Sequence, residues 1–534
     1  MLIGLLLISL VCFPVASGSL WAQKPAATAD QQWKTHISTG IDLLRQQKFD
    51  LAKQQFLLAT QRANTRAEGF IYLGLASLNL GQQHEAEQAF RQALLLEPRS
   101  AQAHYNLGLI YSSQNKRSEA IQELRQAVTL APRHPDGLYN LGVLLLERND
   151  ALEAAQYLER AAQLGPASVE LSANLIRAYL SAGRSEQALK QAQLDSSRFE
   201  RSPEFHLALG NAFLAHNFPG PARAYLEKAS RQVPCDATIQ LPLANASLRV
   251  DDAERAFEAL QCLSGKVTNN PEYYFFLAQT QILLGRKEDA FNAIHQAIQL
   301  DPGNSVFLLT LGRFYQKQGE QLKAVEILEK AAKLDPNFPE IPYSIAVSYF
   351  IADEYEIALR YLDTAVRLDP QFDRAYFLLG IIKTAQSQFV EAESFLNRAL
   401  NLSPKNPFYH CIYGMAQFAQ QRFPEAIESF QRTLSLDPSY GLGYYQLGRA
   451  FTQQSRLAEA RQALEKAIEL RPDLAEAHYR LALVYARLGE KVSAEKAMAT
   501  FQQFRTQQMT ERQEMLKSLR EVLQPNASPK NPGG

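Results

Sequence analysis

Alanine recurs at every thirty-fourth residue of this 534-residue chain, fourteen times in succession. The series comprises Ala52, Ala86, Ala120, Ala154, Ala188, Ala222, Ala256, Ala290, Ala324, Ala358, Ala392, Ala426, Ala460 and Ala494. A fixed period of this length is the signature of a repeat architecture, in which each unit packs only against its neighbours. Such an array does not need the single large core that a compact chain of this size would require.

Two further positions keep the same spacing when the repeats are counted from residue 33 to residue 508, which places the alanine at position 20. Position 32 is proline in ten repeats, from Pro98 to Pro472. Position 8 is small in every repeat but the fifth, and its residues are Gly40, Gly74, Gly108, Gly142, Ile176, Gly210, Ala244, Ala278, Gly312, Ala346, Gly380, Gly414, Gly448 and Ala482.

Each repeat is predicted to form two antiparallel helices. Apolar residues follow helical spacing, as in Ile121, Leu124 and Val128. We expect an A helix over roughly the first fourteen positions and a B helix that carries the alanine in its first turn. The small residue at position 8 should face that alanine, and the proline should end the B helix. The turn between the helices is marked by Gly81, Gly183, Gly285, Gly319 and Gly489.

This pattern resembles the tetratricopeptide repeat. The segment from Ala103 to Gly108, followed by Tyr111, Ala120 and Ala127, is close to the family's pattern, and the match extends over residues 33–508. The resemblance implies an all-α fold, namely an α-solenoid in which about fourteen hairpins stack into a right-handed superhelix. It also implies that the A helices line a concave groove that binds a protein or peptide.

The two ends of the chain differ from the array. Residues 1–22 read as a signal peptide, because the apolar stretch is too short for a typical membrane span and small residues follow at Gly18 and Ala22. No Lys or Arg precedes this stretch, so a retained membrane anchor is the alternative. Residues 23–32 read as a flexible linker, 509–523 as a C-terminal capping helix and 524–534 as a disordered tail.

Composition and motifs argue against several classes of function. The 55 basic and 55 acidic residues balance, which disfavours nucleic acid or an anionic membrane as the main partner. The sequence has no HExxH, GxSxG, Walker-type or CxxC motif. We therefore expect neither an enzyme nor a cofactor or metal site.

Asparagine occupies position 6 of three successive repeats, at Asn106, Asn140 and Asn174, and tyrosine precedes two of them, at Tyr105 and Tyr139. In the resembling family, positions 2, 5, 6, 9, 12 and 13 of the A helix face the groove. Stacked asparagines offer donors and acceptors to an extended peptide, and they resemble the asparagine ladder of the O-GlcNAc transferase repeats. The alternative is that the sequence Tyr-Asn-Leu-Gly is simply common at these positions of the repeat.

Aromatic and apolar residues gather at the same positions in the last five repeats. They are Tyr343, Phe350, Phe377, Phe408, Met415, Phe418, Tyr445 and Tyr479. An exposed apolar patch of this size usually marks a binding site. Packing between neighbouring hairpins is the alternative. Arg313, Arg374 and Arg449 are predicted to add contacts to carboxylates at its edges.

One known recognition mode of the family does not fit. The clamp for chaperone tails needs Lys at position 5 and Asn at position 9 of one repeat. Asn211 and Asn245 stand at position 9, but Leu207 and Leu241 stand at position 5. Without those cations the clamp is not formed.

Repeats five and seven depart most from the pattern. Repeat seven has Pro242 inside its first helix and Thr268 in place of the usual proline. A proline within a helix predicts a kink or a late start, so we expect altered geometry over residues 237–270. Cys235 and Cys262 should lie at the same end of this hairpin. A disulfide between them would be worth about 3 kcal/mol, and two reduced thiols are the alternative.

These features favour an exported, periplasmic or secreted scaffold that binds a protein or peptide through its groove. One alternative is a membrane-anchored, non-catalytic subunit of an export or assembly machine of the cell envelope. Another, which rests on the asparagines, is an accessory to a glycosyltransferase. Neither the partner nor the oligomeric state follows from the sequence.

Overall fold

The computed structural model describes residues 27–505, and these residues form helices and no strands. They divide into two compact units, the first ending at His216 and the second beginning at Asn217. The helices of the first unit are α1 (Ala27–Arg45), α2 (Phe49–Arg62), α3 (Ala67–Asn79), α4 (Gln83–Leu96), α5 (Ala101–Ser113), α6 (Arg117–Leu130), α7 (Pro135–Glu147), α8 (Ala151–Leu164), α9 (Val169–Ser181), α10 (Ser185–Arg198) and α11 (Pro203–Ala215).

The second unit continues the same alternation. Its helices are α12 (Pro219–Gln232), α13 (Ala237–Leu248), α14 (Ala253–Gln261), α15 (Pro271–Leu283), α16 (Lys287–Leu300), α17 (Ser305–Lys317), α18 (Gln321–Leu334), α19 (Glu340–Ile351), α20 (Tyr355–Leu368), α21 (Asp373–Ala385), α22 (Phe389–Leu402), α23 (Pro407–Ala419), α24 (Phe423–Leu436), α25 (Gly441–Gln453), α26 (Leu457–Leu470), α27 (Ala475–Leu488) and α28 (Lys491–Arg505). The 28 helices confirm an all-α solenoid with an A and a B helix in each of fourteen repeats.

The small residue at position 8 packs against the side chain at position 24 of its own B helix. This contact is closer than the expected one with the alanine at position 20. A β-carbon on Gly108 would lie 2.6 Å from Leu124 Cγ and 3.3 Å from the carbonyl oxygen of Ala120. On Gly380 it would lie 2.5 Å from Leu396 Cγ. Position 8 is therefore small because a leucine or phenylalanine four residues after the alanine fills the seam.

The turn between the helices is the same in all repeats. Position 15 has a positive φ between 57° and 81° in each of the fourteen, although only five of these residues are glycine. The others include Gln47, Ser387 and Ser455. This left-handed residue lets the following N–H reach back into the A helix, as Arg456 does to Phe451. The turn is therefore more regular in the structure than the few glycines at this position of the sequence suggest.

We predict that Ser455→Gly stabilises the second unit by about 0.5–1 kcal/mol, because a residue with a β-carbon is strained in the left-handed region. Ser455 has a φ of 58°. The matched control is Gln454→Gly, since Gln454 has a φ of −87° and glycine there should destabilise the turn by a similar amount. Thermal unfolding of both variants checks the prediction, and equal shifts of the same sign would contradict it.

Two boundaries differ from the sequence-based predictions. Helix α1 begins at Ala27, so residues 27–32 belong to a helix and the predicted linker at 23–32 is wrong over that part. Arg66 bonds Asp30 across the first repeats, which ties this extension to the array. The predicted leader, capping helix and tail lie outside the described residues.

Repeat seven is irregular in its B helix. Helix α13 runs from Ala237 to Leu248 through Pro242, so the predicted late start is wrong. Helix α14 has 9 residues, whereas the neighbouring α16 has 14. The helix ends early at Gln261, and Gly265 then adopts a φ of 75°, a conformation that ends helices.

Within residues 27–505, no helix combines the length and the apolar character that a membrane span requires.

Candidate functional site

We call the side chains at positions 2, 5, 6, 9, 12 and 13 of the A helices the A-helix face. Position 8 points at the B helix of its own repeat, so these positions lie on other sides of the A helix. The structure brings several of them together between successive repeats. The candidate site therefore consists of contacts that repeat along each unit, and the two units carry different side chains there.

In the first unit, tyrosine at position 5 pairs with asparagine at position 6 of the next repeat. Asn140 Nδ2 donates to the hydroxyl of Tyr105 at 3.2 Å, and Asn174 Nδ2 donates to the hydroxyl of Tyr139 at 3.1 Å. All four side chains are half-buried. Two of the three predicted asparagines thus form matching pairs with a tyrosine, which we call tyrosine–asparagine rungs. The spacing of 35 residues between each tyrosine and its asparagine is the sequence signal that indicates these pairs.

Asn106 does not form such a rung. It is buried, and its Nδ2 donates to the carbonyl oxygen of Gln102 in its own helix at 2.7 Å. The reason lies one repeat earlier, where position 5 is Ile71 and offers no hydroxyl. The prediction that Asn106 lines the surface is therefore wrong.

The rung hydroxyls stay protonated at neutral pH. Burial, together with the nearby charge of Asp136, raises the pKa of Tyr105 to about 12. Burial also raises the pKa of Tyr139, although its hydrogen bond from Asn174 opposes this. Each hydroxyl accepts from its asparagine and keeps its own proton, so it remains a donor.

The aromatic residues of the second unit are mostly inside it. Tyr343, Phe350, Phe377, Phe408 and Tyr445 are all buried, so the predicted exposed patch is wrong for these five. Position 5 inserts its ring between one hairpin and the next. For example, Phe377 stacks on a tyrosine of the following repeat with ring centroids 4.2 Å apart. Aromatic rings at this position fill the space between repeats.

Three predicted residues of the patch keep some exposure. Met415 and Phe418 are half-buried, and Tyr479 is 38% exposed, with its ring 5.1 Å from that of Phe501. They are too few to make a continuous apolar surface. The A-helix face of the second unit is therefore not the apolar groove that the sequence suggested.

Two of the three predicted arginines lie beside aromatic rings. The Arg374 guanidinium lies 5.3 Å from the ring centroid of Tyr343. The Arg449 guanidinium lies 4.8 Å from that of Phe418 and donates to Gln446 at 2.9 Å. Arg313 donates through Nε to the Ser344 hydroxyl at 3.2 Å. Sequence reasoning had missed Ser344, which stands at position 6 of its repeat.

Cys235 and Cys262 are brought together as predicted, and the structure describes them as free thiols. Burial and the contact with Cys235 raise the pKa of Cys262 to about 11. Burial raises the pKa of Cys411 to about 12. Since the thiolate is the reactive form, attack by the Cys262 or Cys411 sulfur should be slow at neutral pH.

We predict that oxidised glutathione forms a Cys235–Cys262 disulfide faster at pH 9 than at pH 7. The pKa of Cys262 is raised to about 11, so the fraction of its thiolate form is larger at pH 9 than at pH 7. The disulfide should raise the midpoint of thermal unfolding of the second unit, and Cys262→Ser is the control that cannot form it. Mass spectrometry of the unreduced digest identifies the bond. Two unmodified thiols after prolonged oxidation at the higher pH would refute the prediction.

Among residues 27–505, no three His, Cys, Asp or Glu side chains gather in a way that could hold a metal ion.

Models of one repeat family match several parts of the chain. A model described as Tetratricopeptide repeat matches residues 72–135, 105–169 and 343–407, and a second of that description matches 145–212 and 281–342. A model described as TPR repeat matches 448–489. Together these matches cover more than half of the chain.

The chain is also similar to solved helical-repeat structures. One, described as an APC/C hetero-tetramer of Cut9 and Hcn1, has 17% identity and a TM-score of 0.41 over 93% of this chain and 97% of that chain. The structure of MamA has 21% identity and a TM-score of 0.29 over 32% and 97%. That of YrrB, described as a TPR protein with an unusual peptide-binding site, has 22% and 0.30 over 35% and 95%. No curated protein sequence matches significantly.

Proposed function

This chain belongs to the tetratricopeptide repeat family, and from that premise we propose that it is a non-catalytic scaffold whose A-helix face binds an extended segment of a protein partner. The two tyrosine–asparagine rungs of the first unit carry this proposal. They hold polar side chains in a fixed geometry on neighbouring repeats, and that geometry suits the regularly spaced N–H and C=O groups of a peptide backbone.

The rungs leave hydrogen-bonding capacity for a ligand. Asn140 and Asn174 each use Nδ2 on a tyrosine hydroxyl. Neither Oδ1 accepts a hydrogen bond from any other described residue, and the hydroxyl proton of Tyr105 has no acceptor among them. Each rung therefore offers a peptide one donor and one acceptor. Because the asparagine is already oriented, little side-chain entropy is lost on binding.

We also propose that the protein acts outside the cytoplasm, as a periplasmic or secreted protein. The apolar stretch at residues 2–15 and the small residues at Gly18 and Ala22 support this. If that stretch is retained, the chain would instead be an anchored subunit of an envelope machine. N-terminal sequencing of the natural protein distinguishes them, since cleavage predicts a start at Ser19 or Gln23.

A subtractive selection tests the binding proposal. A phage library of random peptides is first depleted on the Asn140→Ala/Asn174→Ala variant and then selected on the wild-type chain. We expect enriched peptides that bind the wild type about tenfold or more tighter than the variant, the loss expected for two hydrogen bonds.

The control variant is Gln122→Ala/Gln156→Ala, which removes two exposed amides from the B helices of repeats three and four, the repeats that supply the rung tyrosines. It should bind the selected peptides as the wild type does. Circular dichroism should show that both variants retain the helical fold. The proposal is wrong if the subtractive selection enriches no peptide, or if the B-helix variant loses as much affinity as the A-helix variant.

A further inference from the structure

The outer side of the B helices in the first unit is almost free of charge. Position 24 packs against the A helix of its own repeat, so positions 22, 26 and 29 lie on the opposite side of the B helix. We call these three positions in repeats one to four the outer face, and all twelve of its side chains are exposed. In α2 they are Gln54, Leu58 and Gln61, and in α8 they are Gln156, Arg160 and Gln163.

The same positions carry many charges in the second unit. In repeats nine to fourteen, eleven of the eighteen residues at positions 22, 26 and 29 are charged, such as Glu326, Lys330 and Lys333 of α18. The outer face of the first unit instead has eight glutamines, two leucines, a threonine and one charged residue, Arg160. Since both sets stand on the same side of the same kind of helix, exposure to water does not explain why the first set avoids charge.

Apolar exposure in the first unit is confined to the same helices. Among residues 27–216, eight large apolar side chains are exposed, and all eight are leucines of B helices. Leu95 of the outer face is 75% exposed, and Leu152, one turn before Gln156, is 56% exposed. A surface of leucines and amides can be covered without removing water from a charge, so its burial carries no large penalty.

The charges that border the outer face have partners in their own chain. Arg91 pairs with Glu87 at 2.8 Å, and Arg125 pairs with Glu153 at 2.6 Å. Arg160 donates to a backbone carbonyl oxygen of the preceding loop at 3.0 Å. These charges therefore need no ionic partner from another molecule.

The amides of the outer face remain available for bonding. Of the eight glutamines, Gln88 alone bonds another described residue, with its Nε2 3.0 Å from Nε2 of His84. An amide group both donates and accepts hydrogen bonds, so a surface of amides meets a copy of itself without like charges and with matching partners. A charged partner would lose water from its charges and gain no ion pair in return. This charge pattern therefore favours a second copy of the chain.

The size of the outer face fits a specific interface. Helices α2, α4, α6 and α8 have 14 residues each, which corresponds to about 21 Å of helix. Four such helices, each roughly 10 Å wide, offer roughly 800 Å², which is the area that one partner contributes to an interface of standard size. A dimer of ordinary stability therefore needs no surface beyond these four helices.

We propose that the outer face of the first unit binds the outer face of a second copy of this chain and forms a symmetric dimer. A two-fold interface uses the same patch on both copies. The outer face lies on the B helices, so the dimer leaves the A-helix faces of both copies open. Self-association is thus independent of peptide binding, and it would give a multivalent partner two faces to bind at once.

Sedimentation equilibrium of the full chain tests this proposal. We expect a mass of two chains at micromolar concentration. The variant Gln92→Lys/Gln126→Lys places two positive charges on the outer face of each copy, where they would meet the charges of the other copy. It should raise the dissociation constant of the dimer about 100-fold or more, because like charges that face each other across an interface repel strongly.

Two further variants separate the effect of charge from that of substitution. Gln92→Ala/Gln126→Ala changes the same residues without adding charge, so it should raise the dissociation constant only a few-fold. Gln296→Lys/Gln299→Lys adds the same charges to exposed positions of α16 in the second unit, and it should leave the equilibrium unchanged. Circular dichroism should show that all three variants retain the helical fold.

Photocrosslinking then identifies the surfaces in contact. Benzoylphenylalanine at position 92 should crosslink two copies of the chain, whereas the same residue at position 296 should not. Mass spectrometry of a mixture of isotopically labelled and unlabelled chains distinguishes adducts between copies from adducts within one copy. The attachment sites should lie on the B helices of the first unit.

The proposal is overturned if the wild-type chain stays a monomer, or if lysines on the two units have the same effect on the equilibrium. It is also overturned if position 92 crosslinks only within its own chain, which would mean that another segment of the chain covers this face. Adducts with a different protein alone, when the variant is irradiated in cells, would likewise overturn it. The peptide selection is unaffected by these outcomes, since it depends on the A-helix face.

Discussion

Phe377→Ala is expected to lower the free energy of unfolding of the second unit by about 3–5 kcal/mol, the cost of removing a fully buried aromatic ring. Phe377 is 0% exposed. Its ring stacks on Tyr409 at 4.2 Å and lies 5.5 Å from that of Phe408. The sequence predicted a ligand-binding role for this residue, whereas its surroundings predict a role in holding two repeats together.

The matched control for this prediction is Tyr479→Ala, which stands at the same position of the last repeat. Tyr479 is 38% exposed, so its loss should cost less than about 1 kcal/mol. Because repeat arrays need not unfold in one step, hydrogen exchange of the helices that surround each residue is the suitable measurement. Similar losses of protection in the two variants would contradict the assignment of Phe377 to the core.

Gly142→Ile is expected to destabilise repeat four by about 3 kcal/mol, because it overpacks a closed seam. A β-carbon on Gly142 would lie 2.7 Å from Leu158 Cγ. Repeat five has the opposite sizes at the same two positions, with Ile176 at position 8 and Ala192 at position 24, and both are buried. The seam therefore requires a combined volume rather than a particular residue at either position.

The double variant Gly142→Ile/Leu158→Ala should recover about 2 kcal/mol or more relative to the sum of the single changes, since the leucine's removal makes room for the isoleucine. Leu158→Ala alone should cost about 2–5 kcal/mol through the cavity it leaves. Hydrogen exchange of α7 and α8 gives the three free energies of the cycle. Additive effects would show that the two positions do not share one seam.

Much of the fold follows from the period, because helical spacing within a constant repeat length predicts the same hairpin fourteen times. The partner of position 8 did not follow. Gly108 does lie beside the backbone of Ala120, as the small sizes of the two residues suggested, but Leu124 makes the nearer contact between the helices. The sizes of the residues at positions 8 and 20 do not reveal that the side chain at position 24 occupies the space between the two helices.

The surface was harder to predict than the fold, since position 5 serves two purposes. Tyr105 is half-buried and offers its hydroxyl to Asn140, whereas Tyr343 at the same position is 1% exposed and fills the space before the next repeat. Which role a ring takes depends on the residue it meets one repeat later. The role of Asn106 depends in the same way on the preceding repeat, which has Ile71 instead of a tyrosine at position 5.

The two units therefore differ in what their A-helix faces offer. The first presents neutral tyrosine–asparagine rungs. The second presents arginines beside buried rings, with Nη2 of Arg313 unused by the described residues.

Photocrosslinking from the two sides of one repeat tests the central claim most directly. Benzoylphenylalanine is placed either at Val143, on the A-helix face of α7, or at Gln156, which is exposed on the B helix α8. Each protein is irradiated with a peptide from the subtractive selection. Binding through the A-helix face predicts a crosslink from position 143 and none from position 156. Equal crosslinking from both, or a crosslink from position 156 alone, would contradict it.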